Sequence, residues 1–199
     1  GRNPCHGRAP ADETGSAVAK PELTVWVITG DGDGLSIGGN HLIHALRRNI
    51  NLNIILFNNQ IYGLTKGQYS PTSEVGKRTK TSPSGSIDRP FNPVSLALGS
   101  EAAFVARTLD MERNHTIAML KAMHEHEGAG LLEIYQNCNV FNDKAFSDLT
   151  DKDTRDGNRI WLEDGKPIVF GHNNEYGVVV DSEGAKIVEV GVVGLNNIH

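Results

Sequence analysis

Gly30-Asp31-Gly32-Asp33-Gly34-Leu35-Ser36-Ile37-Gly38-Gly39-Asn40-His41 is the stretch on which the reading of this sequence turns. The apolar, β-branched run 25–29 leads into it and a helical pattern leaves it, so it joins a strand to a helix. Three glycines in five positions let the backbone turn tightly and bring its N–H groups close to an anionic ligand. Asp31 and Asp33 place carboxylates at the same point. Carboxylates beside a phosphate site require a cation between them, and Mg²⁺ is the usual one. A second piece follows one helix and one strand later: Asn58-Asn59-Gln60-Ile61-Tyr62-Gly63, at the end of the apolar run 52–57. In a parallel strand–helix–strand unit, successive strand ends meet at one edge of the sheet. Asp31 and Asn59 are therefore predicted to face one ion.

Other readings of the glycine loop fail on spacing. A dinucleotide fingerprint would place its third glycine at Leu35 or Ile37, and the Gly-Lys-Ser/Thr of a Walker loop is absent. An EF-hand opening at Asp31 would put Ser36 and Leu42 where Gly and Glu are needed.

Gly30-Asp31-Gly32 followed by Asn58-Asn59 resembles the thiamine diphosphate/Mg²⁺ motif. The longer strings GDGDGLSIGGNHLIHALRRN (30–49), NNQIYGLTKGQYSPTS (58–73) and EIYQNCNVFND (133–143) resemble the β subunit of 2-oxoacid:ferredoxin oxidoreductases, most of all the 2-oxoglutarate type. The likeness runs from about His6 to about Val169, with separated segments matching in order. It implies that Asp31, the Asn59 side-chain oxygen and the Ile61 carbonyl bind Mg²⁺. These are hard oxygen donors suited to that ion. It also implies that Gly32, Asp33, Gly63, Leu64 and Thr65 contact the diphosphate or the thiazolium, and that His6 touches the cofactor. Within YQNCNVFND, Cys138 matches the distant fourth ligand of a [4Fe–4S] cluster. The other three cysteines of that pattern would lie upstream of His6, which makes the chain a fragment of a longer subunit or one without its cluster. The glutamate that activates the aminopyrimidine is implied on a partner α subunit, so the active site is shared in a heterodimer. The implied activity is oxidative decarboxylation of a 2-oxoacid with coenzyme A, ferredoxin accepting the electrons. Two alternatives stand beside it: half of a non-oxidative thiamine diphosphate decarboxylase or synthase, and a non-catalytic cofactor-binding module.

Composition agrees with an enzyme domain and excludes other classes. The 199 residues are 38% hydrophobic and 22% charged, within the range of globular domains. A net charge of −5 argues against a nucleic-acid or anionic-membrane surface. No apolar run approaches a membrane span, and the polar N-terminus has no signal-peptide core. Two distant cysteines are no disulfide framework, so a reducing cytoplasm is expected. Cys5 reads as an incidental thiol.

Along the chain, residues 1–14 carry no helix or strand signal, and 15–20 are helix-compatible up to Pro21. Residues 23–29 and 52–57 read as strands flanking a helix that starts at Gly38. On that helix His41 and His44 are packing residues rather than ligands. Between 65 and 93 the composition turns to Ser, Thr, Pro, Gly and basic residues, a long stretch read as a lid or an insert. Its basic run, 77–80, is a solvated surface or a grip for an anion such as coenzyme A. A short helix over 92–98, a strand over 103–107, a helix over 112–127 with Ile117, Leu120 and Met123 inward, and a strand over 131–135 follow. The fold class is α/β, a doubly wound and mostly parallel sheet. Residues 1–150 form the thiamine diphosphate/Mg²⁺-binding domain. Residues 151–199 form a C-terminal β-rich arm, with hairpins predicted over 160–170 and 178–190.

Overall fold

The computed structural model describes residues 6–195 and 198; Cys5 lies outside them. The chain divides into two compact units, Gly1–Ala145 and Phe146–His199. The first holds helix α1 (Ala9–Ala19), strand β1 (Trp26–Gly30), helices α2 (Asp31–Leu35) and α3 (Gly39–Arg47), and strand β2 (Asn53–Asn58). After a long irregular stretch come helix α4 (Pro93–Gly99), strand β3 (Phe104–Leu109), helix α5 (Arg113–Glu125) and strand β4 (Gly130–Tyr135). The strands form one parallel sheet in the order β1-β2-β4-β3.

Alternation along β2 builds two cores. Ile54 and Leu56 join Val27, Leu42, Leu46 and Leu131 on one face, whereas Ile55 joins Leu132, Ile134 and Met123 on the other. Residues of α1, α3 and α4 enter the first core and Met123 of α5 the second, so helices cover both faces as predicted. Each fully buried leucine or isoleucine contributes about 1.5–3 kcal/mol relative to exposure. Because Gly30 pairs with Phe57 and Asn58 with Tyr135, β1, β2 and β4 end level with one another. Asp31 and Asn59 leave adjacent strands at that edge.

Several boundaries differ from the sequence reading. Helix α1 begins at Ala9, with proline in its first turn, inside the segment read as featureless. Proline there is favourable, since its missing N–H would have no helical partner. Strand β1 begins at Trp26 rather than 23, because β2 offers its first paired residue at Asn53. On α5 the inward stripe is Met119, Leu120 and Met123, and Ile117 is exposed. Up to α4 at Pro93, the stretch 65–92 has no helix or strand among its described residues, but single bridges Tyr62↔Gln68 and Thr79↔Ser82 fold it into turns.

In the second unit, strands β5 (Val169–Phe170), β6 (Tyr176–Asp181) and β7 (Gly184–Glu189) form an antiparallel sheet beside four-residue helices α6 (Ser147–Thr150), α7 (Arg155–Asn158) and α8 (Val190–Val193). The β6–β7 hairpin closes at Asp181↔Gly184, inside the hairpin predicted over 178–190. The hairpin predicted over 160–170 does not form. The turn is present, with the Lys166 N–H donating to the Glu163 carbonyl at 3.1 Å, but 160–162 carry no strand and β5 pairs with β6 instead. Pro167, lacking an N–H, interrupts one side of that ladder. Among the described residues no helix is long and apolar enough to cross a membrane.

Candidate functional site

The glycine stretch is more helical than a loop: β1 passes through extended Gly30 directly into α2 at Asp31. Gly32 is required by close approach, since a Cβ there would stand 2.5 Å from the Tyr62 ring. Gly38 is required likewise, with a Cβ 2.7 Å from the Asp33 carbonyl oxygen. These contacts fold the second motif onto the first.

Asp31 is 2% exposed, and burial pushes its carboxyl above the ordinary value despite hydrogen bonds from Ser70, Thr72 and backbone N–H groups. Thr72 Oγ1 donates to Asp31 Oδ2 at 2.7 Å. Among the described residues no Lys, Arg or His pairs with Asp31, so its charge is balanced by dipoles alone. Its other oxygen, Oδ1, faces the Asn59 backbone N–H at 3.5 Å.

The Asn59 amide completes the geometry. Its nitrogen, turned toward this point, donates to the Ile61 carbonyl at 2.8 Å and to Asp31 Oδ1 at 3.1 Å. With the amide turned the other way, the Ile61 N–H donates to Asn59 Oδ1 at 3.3 Å and three oxygens converge, those of Asp31, Asn59 and Ile61. Adjacent ligands of octahedral Mg²⁺ stand roughly 2.9 Å apart, given bonds of about 2.0–2.1 Å. The donor set therefore fits that ion.

Asp33 does not share this point. Its Oδ1 accepts from the Gly7 N–H at 2.7 Å and meets His6 Nδ1 at 2.6 Å, while Oδ2 accepts from Thr29 Oγ1 at 2.9 Å. His6 Nε2 is hydrogen-bonded to the Tyr62 hydroxyl. Asp33 thus fastens the His6-Gly7 turn and β1 to α2. Gly63, Leu64 and Thr65 form an exposed turn, Leu64 being 79% exposed, with Thr65 Oγ1 donating to the Tyr62 carbonyl at 3.2 Å. His41 and His44 lie on α3, half-buried.

Cys138 is half-buried and bridged to Asn142, whose N–H donates to the Cys138 carbonyl at 2.9 Å. Among the described residues it is the one cysteine, and none forms a cluster of three His, Cys, Asp or Glu able to hold a metal. Asn142 is buried; its Nδ2 donates to the Asn59 carbonyl at 2.9 Å, and Lys77 Nζ donates to its Oδ1. The Cys138 segment is in this way tied to the Asn59 loop, and Lys77 is turned inward whereas Arg78 and Lys80 remain exposed.

Ser70, Thr72, Ser73, Tyr62 and Asn142 were not singled out by the motif reading. The signal for the first three is the hydroxyl run around Pro71 directly after the Asn59 loop, in residues that are all buried. A cleft of about 520 Å³ opens beside them, lined by Tyr62, Tyr69, Ser70, Asp88, Arg89 and Phe91.

A parallel sheet carrying a Gly-Asp-Gly turn beside an Asn-Asn strand end defines a class, and the chain belongs to it: the family described as Thiamine pyrophosphate enzyme, C-terminal TPP binding domain, matches residues 1–134. Within that class it is similar to subunits of 2-oxoacid oxidoreductases. It is 59% identical over 193 residues to the 2-oxoglutarate oxidoreductase subunit KorB of Mycobacterium tuberculosis, covering 97% of this chain and 52% of that protein. It is 48% identical to the 2-oxoglutarate synthase subunit KorB of Archaeoglobus fulgidus, over 67% of this chain and 50% of that protein. Among solved structures, the 2-oxoglutarate:ferredoxin oxidoreductase from Magnetococcus marinus, with 2-oxoglutarate, coenzyme A and succinyl-CoA bound, superposes with a TM-score of 0.68 at 44% identity. That match covers 70% of this chain and 48% of the other. The chain spans about half the length of the curated relatives it matches. The family resemblance read from the motifs and the α/β fold class are both borne out.

Proposed function

We propose that this chain is the thiamine diphosphate- and Mg²⁺-binding part of the β subunit of a 2-oxoglutarate:ferredoxin oxidoreductase, which forms acyl-CoA and CO₂ from a 2-oxoacid and coenzyme A. The observation that most supports it is a buried Asp31 carboxylate with no cationic partner among the described residues, set against the Asn59 amide and the Ile61 carbonyl. The relatives' names support the substrate.

In this reading Asp31, the Asn59 side-chain oxygen and the Ile61 carbonyl hold Mg²⁺. Gly32, packed under the Tyr62 ring, contacts the diphosphate through its backbone, and Asp33 keeps His6 and Gly7 at the rim of the site. Gly63, Leu64 and Thr65 cover the ligand and exclude water, which accounts for an exposed leucine at a turn. When bound, thiamine diphosphate supplies the carbanion chemistry of decarboxylation. The glutamate that activates it belongs to the α subunit, so the site is complete only between the two chains. Cys138 contributes one thiolate to a [4Fe–4S] cluster whose other ligands come from the rest of the subunit, and ferredoxin takes the electrons. The cofactor domain, expected over 1–150, corresponds to the unit that ends at Ala145, and the β-rich arm to the unit that begins at Phe146; the reaction runs in the cytoplasm.

Complementation tests the shared site. This chain alone is expected not to decarboxylate 2-oxoglutarate, and the full-length β subunit mixed with the α subunit is expected to do so. Turnover by this chain alone contradicts the reading.

A further inference from the structure

Behind the proposed cation site runs a chain of buried polar groups that none of the roles above uses. Glu133 of β4 is 0% exposed, an unusual place for a carboxylate. Its Oε2 accepts from Arg107 Nε on neighbouring β3 at 2.6 Å, and its Oε1 accepts from Asn58 Nδ2 on β2 at 2.7 Å. The guanidinium of Arg107 in turn lies 4.9 Å from the centre of the Tyr135 ring. An ionised carboxylate only accepts hydrogen bonds, so it fixes which way the Asn58 amide points. The amide nitrogen faces Glu133, and Oδ1 therefore faces the opposite side. There it accepts from the Gln60 N–H at 3.2 Å and stands 2.9 Å from Thr72 Oγ1.

Both contacts reach the site. Gln60 lies between Asn59 and Ile61, so its N–H anchors the loop that carries two of the three proposed ligands. Thr72 has one hydroxyl proton and three oxygens within reach, Asp31 Oδ2 at 2.7 Å, Asn58 Oδ1 at 2.9 Å and Ser70 Oγ at 3.1 Å, the last of which can itself donate to Thr72. Asn58 Oδ1 is already served by Gln60, and the proton goes to the nearer carboxylate. Asp31 Oδ2 is thereby occupied, and Oδ1 is the oxygen left facing Asn59.

We propose that Glu133 is a positioning residue for the cation site, acting through the Asn58 amide to hold the Asn59–Ile61 loop and, with Thr72, to reserve Asp31 Oδ1 for the ion. This rests on the reading of Asp31 as a cation ligand. Glu133→Gln must offer its oxygen to Arg107 and its NH₂ to Asn58. The Asn58 amide then turns over, and its NH₂ meets the Gln60 N–H, donor against donor. Thr72→Val keeps the shape and removes the proton, whereas Thr72→Ser restores it.

The test is Mn²⁺ binding in the presence of thiamine diphosphate, read by electron paramagnetic resonance on the full-length β subunit assembled with its α subunit. Four variants are compared with wild type: Asp31→Ala, Glu133→Gln, Thr72→Val and Thr72→Ser. Groups that orient a metal ligand typically cost about 10–100-fold in affinity when changed. Glu133→Gln and Thr72→Val are expected to weaken Mn²⁺ binding at least about tenfold, and Thr72→Ser to bind like wild type. Rescue by serine separates positioning from a general loss of packing. If Asp31→Ala loses Mn²⁺ while Glu133→Gln and Thr72→Val bind like wild type, the positioning role is overturned and the site reading stands. If Asp31→Ala binds as tightly as wild type, both are overturned. Should Glu133→Gln fail to fold, the Thr72 pair decides: weak binding by valine with recovery by serine supports the chain of contacts, and equal binding by both overturns it.

Discussion

Thr72 and Asp31, 41 positions apart in the sequence, are joined by a 2.7 Å hydrogen bond from the threonine hydroxyl to the carboxylate. That bond brings the irregular 65–93 stretch over the strand ends and makes it part of the site. It also leaves a buried aspartate held by dipoles, an arrangement that costs stability while the carboxylate has no cationic partner.

That cost has a pH signature. Burial raises the Asp31 carboxyl above its ordinary 3.8. A carboxyl whose folded pKa exceeds its unfolded value contributes stability at low pH, and the contribution is lost as pH rises through the folded value. Without a cation, the protein is therefore expected to lose ground to Asp31→Asn as pH rises from about 4 to about 7. At neutral pH the variant is expected to be the more stable by roughly 0.5–2 kcal/mol. Thermal melts of both proteins in chelator across that range check this. A gap that stays constant with pH contradicts it.

Gly32→Ala tests the contact between the two motifs. The new methyl would meet the Tyr62 ring at 2.5 Å, so the ring and the turn behind it must move. The expected loss is about 1–3 kcal/mol, the usual range for overpacking. Adding Tyr62→Ala is expected to return part of it, because the clashing ring is gone. Urea unfolding of the single and double variants measures the difference, and simple additivity of the two losses counts against the contact.

Cys138→Ala tests whether the proposed cluster is independent of the proposed thiamine diphosphate site. In the full-length subunit it is expected to abolish or destabilise the iron–sulfur cluster, which normally takes four thiolates. Thiamine diphosphate binding is expected to persist, since Asp31 makes no contact with the cysteine's side chain among its hydrogen bonds. Electron paramagnetic resonance after dithionite reduction reads the cluster. A full-intensity signal in the variant makes Cys138 an ordinary half-buried thiol.

The strand–helix–strand order and the meeting of Asp31 with Asn59 were legible because both follow from local pattern and from the level ends of parallel strands. Gly30 pairing with Phe57 is all that the meeting needs. Other features depend on contacts between segments far apart in sequence. Nothing local to Asp33 shows that its Oδ1 goes to Gly7 and His6 rather than to the point that Asp31 faces. Thr72, Asn142 and Glu133 are polar residues in a loop, a turn and a strand, and their burial beside β2 emerges only once the chain folds back. The hairpin over 160–170 failed for a related reason: its turn formed, but β6 was the better partner for β5. The proline in the first turn of α1 was visible in the sequence and marks a helix start that the glycines around it obscured.

Calorimetry of thiamine diphosphate binding in the presence of Mg²⁺, on the assembled full-length protein with Asp31 intact or changed to Ala, tests the central claim most directly. The variant loses the carboxylate that would offset the ion's charge, while the Asn58–Glu133 and Gln60–Asn58 contacts behind it do not involve Asp31. Binding is expected to be lost or weakened by at least about a hundredfold, the upper end of what altering a metal site's surroundings costs. Equal affinity in the two proteins would contradict the assignment of Asp31, Asn59 and Ile61 as the cation site.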